Sequence, residues 1–410
     1  MLHHILKNQT RYDRVDIRRL NSVGVLNQLR KNGSLSRAEI AEKQGLTRAT
    51  VSNIVADLIE ADLVKETHYK EGFAGRPGLL LELNANCGCM IGVEMNLHRI
   101  TVVLSNMGQD FIWRSERFLE HEIKQDDYIK EAELLVQRAL AQAEKKTLKC
   151  RGLCVAWAGL VNYEKGILAH GPLFGWNNVP LKAMWEEKFN IPIHLINEAH
   201  AGAVGAYLFG NQEKVRNIIY LSVGVGMAAG IYVDGQLLLG ESGFAGQIAH
   251  VPFVENGHVC GCGKRGCWIT EVGAKAIIRK LCDAGVDFTE RNRLRIDWIN
   301  EATSLIESKD ERMLKVLQDV GTKLGQGIAR LVHVFNPELI IIGGDLRELI
   351  AHMQDSIKIS IDNQILEHMS EGFAIEISES EDDQLMGCIA TIYYAVMENP
   401  PIREAAHQKA

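Results

Sequence analysis

Residues 250–267 read His250-Val-Pro-Phe-Val-Glu-Asn-Gly-His-Val-Cys260-Gly-Cys262-Gly-Lys-Arg-Gly-Cys267. His250, Cys260, Cys262 and Cys267 offer one imidazole and three thiolates. That donor set suits tetrahedral zinc. Four protein ligands leave no position for water, so one structural ion per chain is expected. Gly261, Gly263 and Gly266 let the backbone fold tightly around it. The alternative is a set of free buried thiols. The chain has nine cysteines in 410 residues, too few for a disulfide scaffold. Their crowding at 260–267 favours metal over disulfide.

On both sides of this string, strand and helix alternate. Residues 218–221 and 339–342 read as buried strands, the second ending at Gly343-Gly344. Residues 231–233 and 236–239 form a hairpin around Asp234-Gly235. Further upstream, 90–104 reads as a hairpin and 152–156 as a short buried strand. Helices are expected at 126–145, 181–189, 274–284 and 311–335. The alternation runs through two halves, near 90–210 and 215–400, without a short-period repeat. It predicts an α/β body of two lobes with a cleft between them.

The first 83 residues differ. They predict helices at 20–31, 37–44 and 47–62, then strands at 63–66 and 79–83. Asn32-Gly33 and Gly45 stop the first two helices. Ser36 and Thr47 cap the second and third. In the third, Val51, Ile54, Val55, Leu58 and Ile59 follow one buried face. Ala49, Asn53 and Ala56 lie opposite, with Thr50 and Ser52 on the flanks. Two short helices around a Gly-containing turn, the second with a small polar outer face, are a helix-turn-helix signature. Thr47, Arg48, Ala49, Thr50, Ser52 and Asn53 are the expected major-groove contacts. The strand pair reads as a wing. Its loop, 72–78, carries Arg76 in a Gly-Arg-Pro run suited to a narrow minor groove. A plain three-helix bundle with a Gly/Pro loop is the bland alternative. Residues 1–83 carry a charge balance of +3 and the remainder −10, a basic module on an acidic body.

Composition excludes other classes. Hydrophobic residues are 46% and charged ones 24% of the chain, ordinary for globular protein. No apolar run approaches the ~20 residues of a membrane helix. The opening residues lack the apolar stretch of a signal peptide, so a cytoplasmic protein is expected.

With these residues in view, the chain resembles the repressor–kinase family known as ROK, and within it the xylose-repressor type. The resemblance runs from about residue 18 to 398. It rests on the His…Cys-x-Cys-Gly-x-x-Gly-Cys string, on residues 221–231 as a second glycine loop, and on residues 336–344 as the strand that meets nucleotide in kinase members. It implies an actin-like, hexokinase-like (ribonuclease H-like) pair of lobes with sugar bound between them, and a dimer or tetramer. The expected domains are a winged helix-turn-helix at 1–83, a first α/β lobe at 84–210, and a second at 211–410 with the zinc loop and C-terminal helices.

The resemblance also shows departures. Kinase members carry Asp-x-Gly-Gly-Thr-Lys in the first loop, where this chain has Glu94-Met95-Asn96-Leu97-His98-Arg99. Side chains replace both glycines and obstruct the approach of phosphate. Val225 stands where kinases carry Thr, and Glu198, after Asn197, where they carry the catalytic Asp. The chain is therefore expected not to be an enzyme. For the sugar pocket the resemblance implies Trp176, Asn197, Glu198, Gln247 and His250, the last shared with zinc. Ordinary lobe-interface bonding is the alternative role for Asn197, Glu198 and Gln247. Leu173 and Ile269 replace polar family ligands, so the pocket differs from a glucose site. It suits a pentose, a deoxy or N-acyl sugar, or a conjugate. The expectation is a homodimeric or homotetrameric repressor of a carbohydrate-use operon, bound to double-stranded operator DNA and released by a sugar-like effector. A sugar kinase with an accessory DNA-binding domain, and a regulator controlled by a protein partner, are the alternatives.

Overall fold

The computed structural model describes residues 14–69, 79–119, 123–172, 174–209, 215–286, 297–398 and 400. Helices α1 (Arg14–Asn32), α2 (Arg37–Gln44) and α3 (Arg48–Glu60) pack with strands β1 (Leu35–Ser36), β2 (Val64–Tyr69) and β3 (Leu79–Leu83). The strands form a three-stranded wing in the order β1-β3-β2. A capping box starts α2: the Ser36 side chain accepts from the Glu39 amide, and the Glu39 carboxylate accepts from the Ser36 amide at 2.9 Å. Val51, Ile54, Val55 and Leu58 of α3 are buried with Val25, Leu26, Leu29 and Ile40. The first helix is already formed at Arg14, the first described residue, ahead of the start expected at residue 20. Its polar first turns are tied down, because Arg18 Nε donates to the buried Asp57 of α3 at 3.0 Å. The third helix stops at Glu60, with Ala61 as its cap. Arg76 and its loop lie outside the described residues.

The first lobe comprises β4 (Cys89–Met95), β5 (Arg99–Asn106), β6 (Phe111–Phe118), α4 (Gln125–Lys145), β7 (Cys150–Trp157), β8 (Leu160–Asn162), β9 (Ile167–Gly171), β10 (Trp176–Val179), α5 (Leu181–Phe189), β11 (Ile193–Asn197) and α6 (Glu198–Phe209). Its main sheet has the order β11-β7-β4-β5-β6. The second lobe begins with β12 (Ile218–Val223), β13 (Met227–Val233) and β14 (Gln236–Leu237). The metal-ligand string follows, then α7 (Ile269–Val272), α8 (Ala274–Asp283), α9 (Asp297–Glu307), α10 (Glu311–Phe335), β15 (Leu339–Gly343), α11 (Arg347–Ala351), α12 (Gln354–Asp362), α13 (Glu367–Ser370), β16 (Ala374–Ile377) and α14 (Asp383–Glu398). Its sheet runs β14-β13-β12-β15-β16.

Counted by strand within each lobe, both sheets have the order 3-2-1-4-5. In both, the first three strands are antiparallel neighbours and the fourth and fifth are added in parallel. This is the duplicated, actin-like plan. The sequence shows no repeat because each half needs only buried β-branched runs, not identical residues, to build the same sheet.

One element departs from the expected division. Helix α14 follows the second sheet in sequence but packs on α6, β4 and β7 of the first lobe. The approach to α6 is backbone to backbone: a Cβ on Gly387 would collide with the Ala201 carbonyl. The far end of α14 contributes Tyr393 and Met397 to the same buried cluster as Val25 and Leu29 of α1. The winged-helix module is thus seated on the body through α14. Among the described residues no helix is long and apolar enough to cross a membrane.

Candidate functional site

The outer face of α3 is free. Thr47, Arg48, Ala49, Ser52, Asn53 and Ala56 are exposed and Thr50 half-buried, while the opposite face supplies the core. The Thr47 hydroxyl accepts from the Thr50 amide at 3.1 Å and fixes the start of the helix. Small side chains flanked by Arg48 and Asn53 make this face narrow and hydrogen-bonding.

His250, Cys260, Cys262 and Cys267 converge, with one ligand atom from each lying within 4.8 Å of all the others. Cys260 Sγ lies 3.5 Å from His250 Nδ1, and Cys262 Sγ lies 3.7 Å from Cys267 Sγ. Two sulfurs bound tetrahedrally at ~2.3 Å from one ion sit about 3.8 Å apart. The four side chains can therefore hold a metal ion. Gly266 has φ +68° and packs against the Val254 carbonyl, which a Cβ would strike. Gly263 is also left-handed. Gly261 is not, and open space surrounds it, so the tight turn needs two of the three glycines. Burial first, then the neighbouring thiols, push the Cys267 thiol up to about 12. A cation at the centre removes that repulsion.

The metal string forms one wall of a cleft. A cavity of about 210 Å³ is lined by Asn197 and Glu198 from the end of β11 and start of α6, and by Gln247 and His250 from the facing segment. Trp176 is elsewhere. It is buried in the first lobe, its ring 5.1 Å from Trp157 and edge-on to Tyr128 at 5.2 Å. Pro172 and Ile269 line the cavity, whereas Leu173 lies outside the described residues. Thr270, Lys275 and Arg279 also line it. The last two lie at i and i+4 on one helix, a spacing that marks a shared face but no particular ligand.

Asn197 is largely committed to the backbone. Its Nδ2 donates to the Gly159 carbonyl at 2.8 Å, and its Oδ1 accepts from the amides of Ala199 and His200. His200 Nε2 lies 3.0 Å from the Ala245 carbonyl, which can only accept, so the ring proton is on Nε2. Nδ1 therefore accepts from the Tyr163 hydroxyl at 2.5 Å, whose oxygen accepts from the Asn197 amide at 3.2 Å. Burial pushes His200 down to about 4, keeping it neutral. This chain of bonds ties the Asn197 segment to the loop leading to Gln247. Neither Tyr163 nor His200 carried a sequence motif.

A second cavity, of about 170 Å³, adjoins the first and is lined by Glu94, Asn96, Glu198 and Asp345. Burial, reinforced by Asp345 and Glu94, pushes Glu198 up to about 8. Burial also pushes Glu94 up to about 7, against the opposing pull of Arg99. Asn96 Nδ2 donates to Asp345 Oδ2 at 3.3 Å, joining the lobes across this cavity.

The sequence profile of the ROK family matches residues 90–393, and that of a winged helix-turn-helix DNA-binding module matches residues 19–65. The chain belongs to the ROK family. It is 31% identical over 395 residues to a xylose repressor of Caldicellulosiruptor bescii, covering 94% of this chain and 98% of that one. Among solved structures, it superposes with TM-score 0.80 and 25% identity on a ROK family transcriptional regulator described as a homologue of the E. coli MLC protein. That match covers 93% of this chain and 97% of the other. A ROK glucokinase from Streptomyces griseus in complex with glucose and AMPPNP matches with TM-score 0.61 and 20% identity, over 74% of this chain and 98% of that one. The latter speaks to fold only.

Proposed function

We propose that this ROK protein, a DNA-binding and sugar-responsive regulator, represses a xylose-type carbohydrate operon from the cytoplasm as a homodimer or homotetramer. In this reading residues 1–83 bind operator DNA, and the lobes at 84–210 and 211–410 close on a sugar-like effector. The observation that carries it is the free face of α3, Thr47 to Asn53, on a module seated against the same body that holds the cleft. Thr47, Arg48, Ala49, Thr50, Ser52 and Asn53 enter the major groove, and Arg76 reaches the minor groove. Glu198, Gln247 and His250 meet the effector. Asn197 mainly orients the start of α6, since its amide is already bonded. Trp176 supports the first lobe from its core.

The cluster at His250, Cys260, Cys262 and Cys267 holds one structural Zn2+. When bound, the ion would accept an electron pair from each of these four side chains, offset the thiolate charge and tie the loop together. His250 Nδ1 is turned toward Cys260 Sγ, at 3.5 Å, and would be the metal-binding nitrogen, which would leave Nε2 to the effector. The chain is not a kinase. No glycine pair follows Glu94 to receive a polyphosphate, and the side chains of Glu94, Asn96 and Asp345 line that part of the cleft instead.

The test is footprinting on the chain's own upstream region. Two protected half-sites about one helical turn or a small multiple apart are expected for a dimer. Arg48→Ala or Asn53→Ala should weaken operator binding by about 1–3 kcal/mol per lost base contact, with the fold unchanged by circular dichroism. A single unpaired footprint contradicts the dimeric arrangement. Undiminished affinity in both variants contradicts the role of α3.

A further inference from the structure

The second cavity, where a kinase would receive phosphate, is not needed for that purpose in a chain that is not a kinase. It shares Ala158, Glu198, Val225 and Gly226 with the first cavity. The two meet along these residues, with Glu198 between them, and each is large enough for a pyranose ring.

Its walls hold unspent hydrogen-bonding capacity. Ser222 and Gln384 line it and are only 5% and 6% exposed. Neither side chain has a partner among the described residues. Buried hydroxyls and amides are normally bonded. The polar ends of these two are not sealed in but open to the cavity, where a ligand can bond them. Glu198 also lacks a hydrogen-bond or ion-pair partner, and Glu94 has only Arg99, at 3.9 Å.

The chemistry narrows the occupant. A metal ion does not fit: among the described residues the only converging ligand set is the one at His250 and the three cysteines. An anion does not fit either. Arg347 is engaged by Glu381 at 2.8 Å, Arg99 faces Glu94 at 3.9 Å, and the Asp345 carboxylate adds negative charge. A polyol fits. Its hydroxyls donate to carboxylates and accept from the Gln384 amide, and vicinal hydroxyls do both at once. We propose that the second cavity is a second sugar subsite, adjoining the first, so that the effector is a disaccharide or longer saccharide bridging Glu198. This rests on the reading of the first cavity as a sugar pocket.

The test is calorimetric titration of the full chain with D-xylose and xylobiose, and with D-glucose, cellobiose and gentiobiose. At least one disaccharide should bind about tenfold or more tighter than its own monosaccharide, the scale of one added hydrogen bond to a charged group. Ser222→Ala and Gln384→Leu should return that disaccharide to the monosaccharide's affinity. They should leave the monosaccharide's affinity and the melting temperature close to the parent's, since they remove unpaired polar groups rather than bonds. Disaccharides that bind no tighter than their monosaccharides overturn the subsite, as do variants that weaken both ligands equally. If monosaccharides still release the operator in either case, the proposed function stands without the subsite. If no sugar of either length binds, both fall.

Discussion

At the scale of single residues, the metal cluster was the most legible feature. Its ligands lie within 18 positions, and their order alone brings three of them together. Cys262→Ser should lose the bound metal and lower the melting temperature of the chain, because a glycine-rich loop has little core of its own. Elemental analysis of purified protein checks this. A full ion per chain retained in Cys262→Ser would count against the four-ligand site. Glu198 shows what sequence could not give. Its position was matched, but its environment depends on Asp345, far along the chain, and on Glu94. Its carboxyl is raised from 4.5 to about 8. Between those values the folded chain keeps a proton that the unfolded chain has lost. Stability from this site is therefore present at low pH and falls as pH rises through that window. Glu198→Gln should raise the melting temperature more near pH 8.5 than near pH 5. An equal shift at both pH values removes the argument.

At the scale of elements, buried strands and amphipathic helices were legible from periodicity. Residues 181–189 and 311–335 form the helices expected there, α5 and α10. Elements held by long-range partners were not. The first turns of α1 are fixed by Asp57 of α3, far along the chain. The seat of α14 was hidden because its partners, α6 and α1, lie far away in the chain. It rests on Gly387 against Ala201, where no side chain fits. Gly387→Val should cost about 1–3 kcal/mol through overpacking. It should also weaken the effect of effector on operator binding more than it weakens either binding step alone. Denaturant melts with operator titrations separate the two. If Gly387→Val is destabilised yet fully responsive, α14 holds the fold but does not carry the switch.

At the scale of the whole molecule, the same helices make a continuous route. Glu198 begins α6, α6 packs on α14, and α14 packs on α1 of the DNA module. The duplicated lobes form a cleft that a ligand can draw together, touching Glu198 on one side and Gln247 and His250 on the other. A ligand shifts the equilibrium only if it binds the two arrangements differently. A coupling of about 1–3 kcal/mol changes operator affinity roughly 5–150-fold. The decisive measurement is operator titration of the parent and of Glu198→Ala, each with and without the best-binding sugar. The account predicts that sugar weakens operator binding by the parent within that range. Glu198→Ala should bind operator as tightly as the parent and not be released. Release of Glu198→Ala as ready as that of the parent would show that the effector does not act through this cleft.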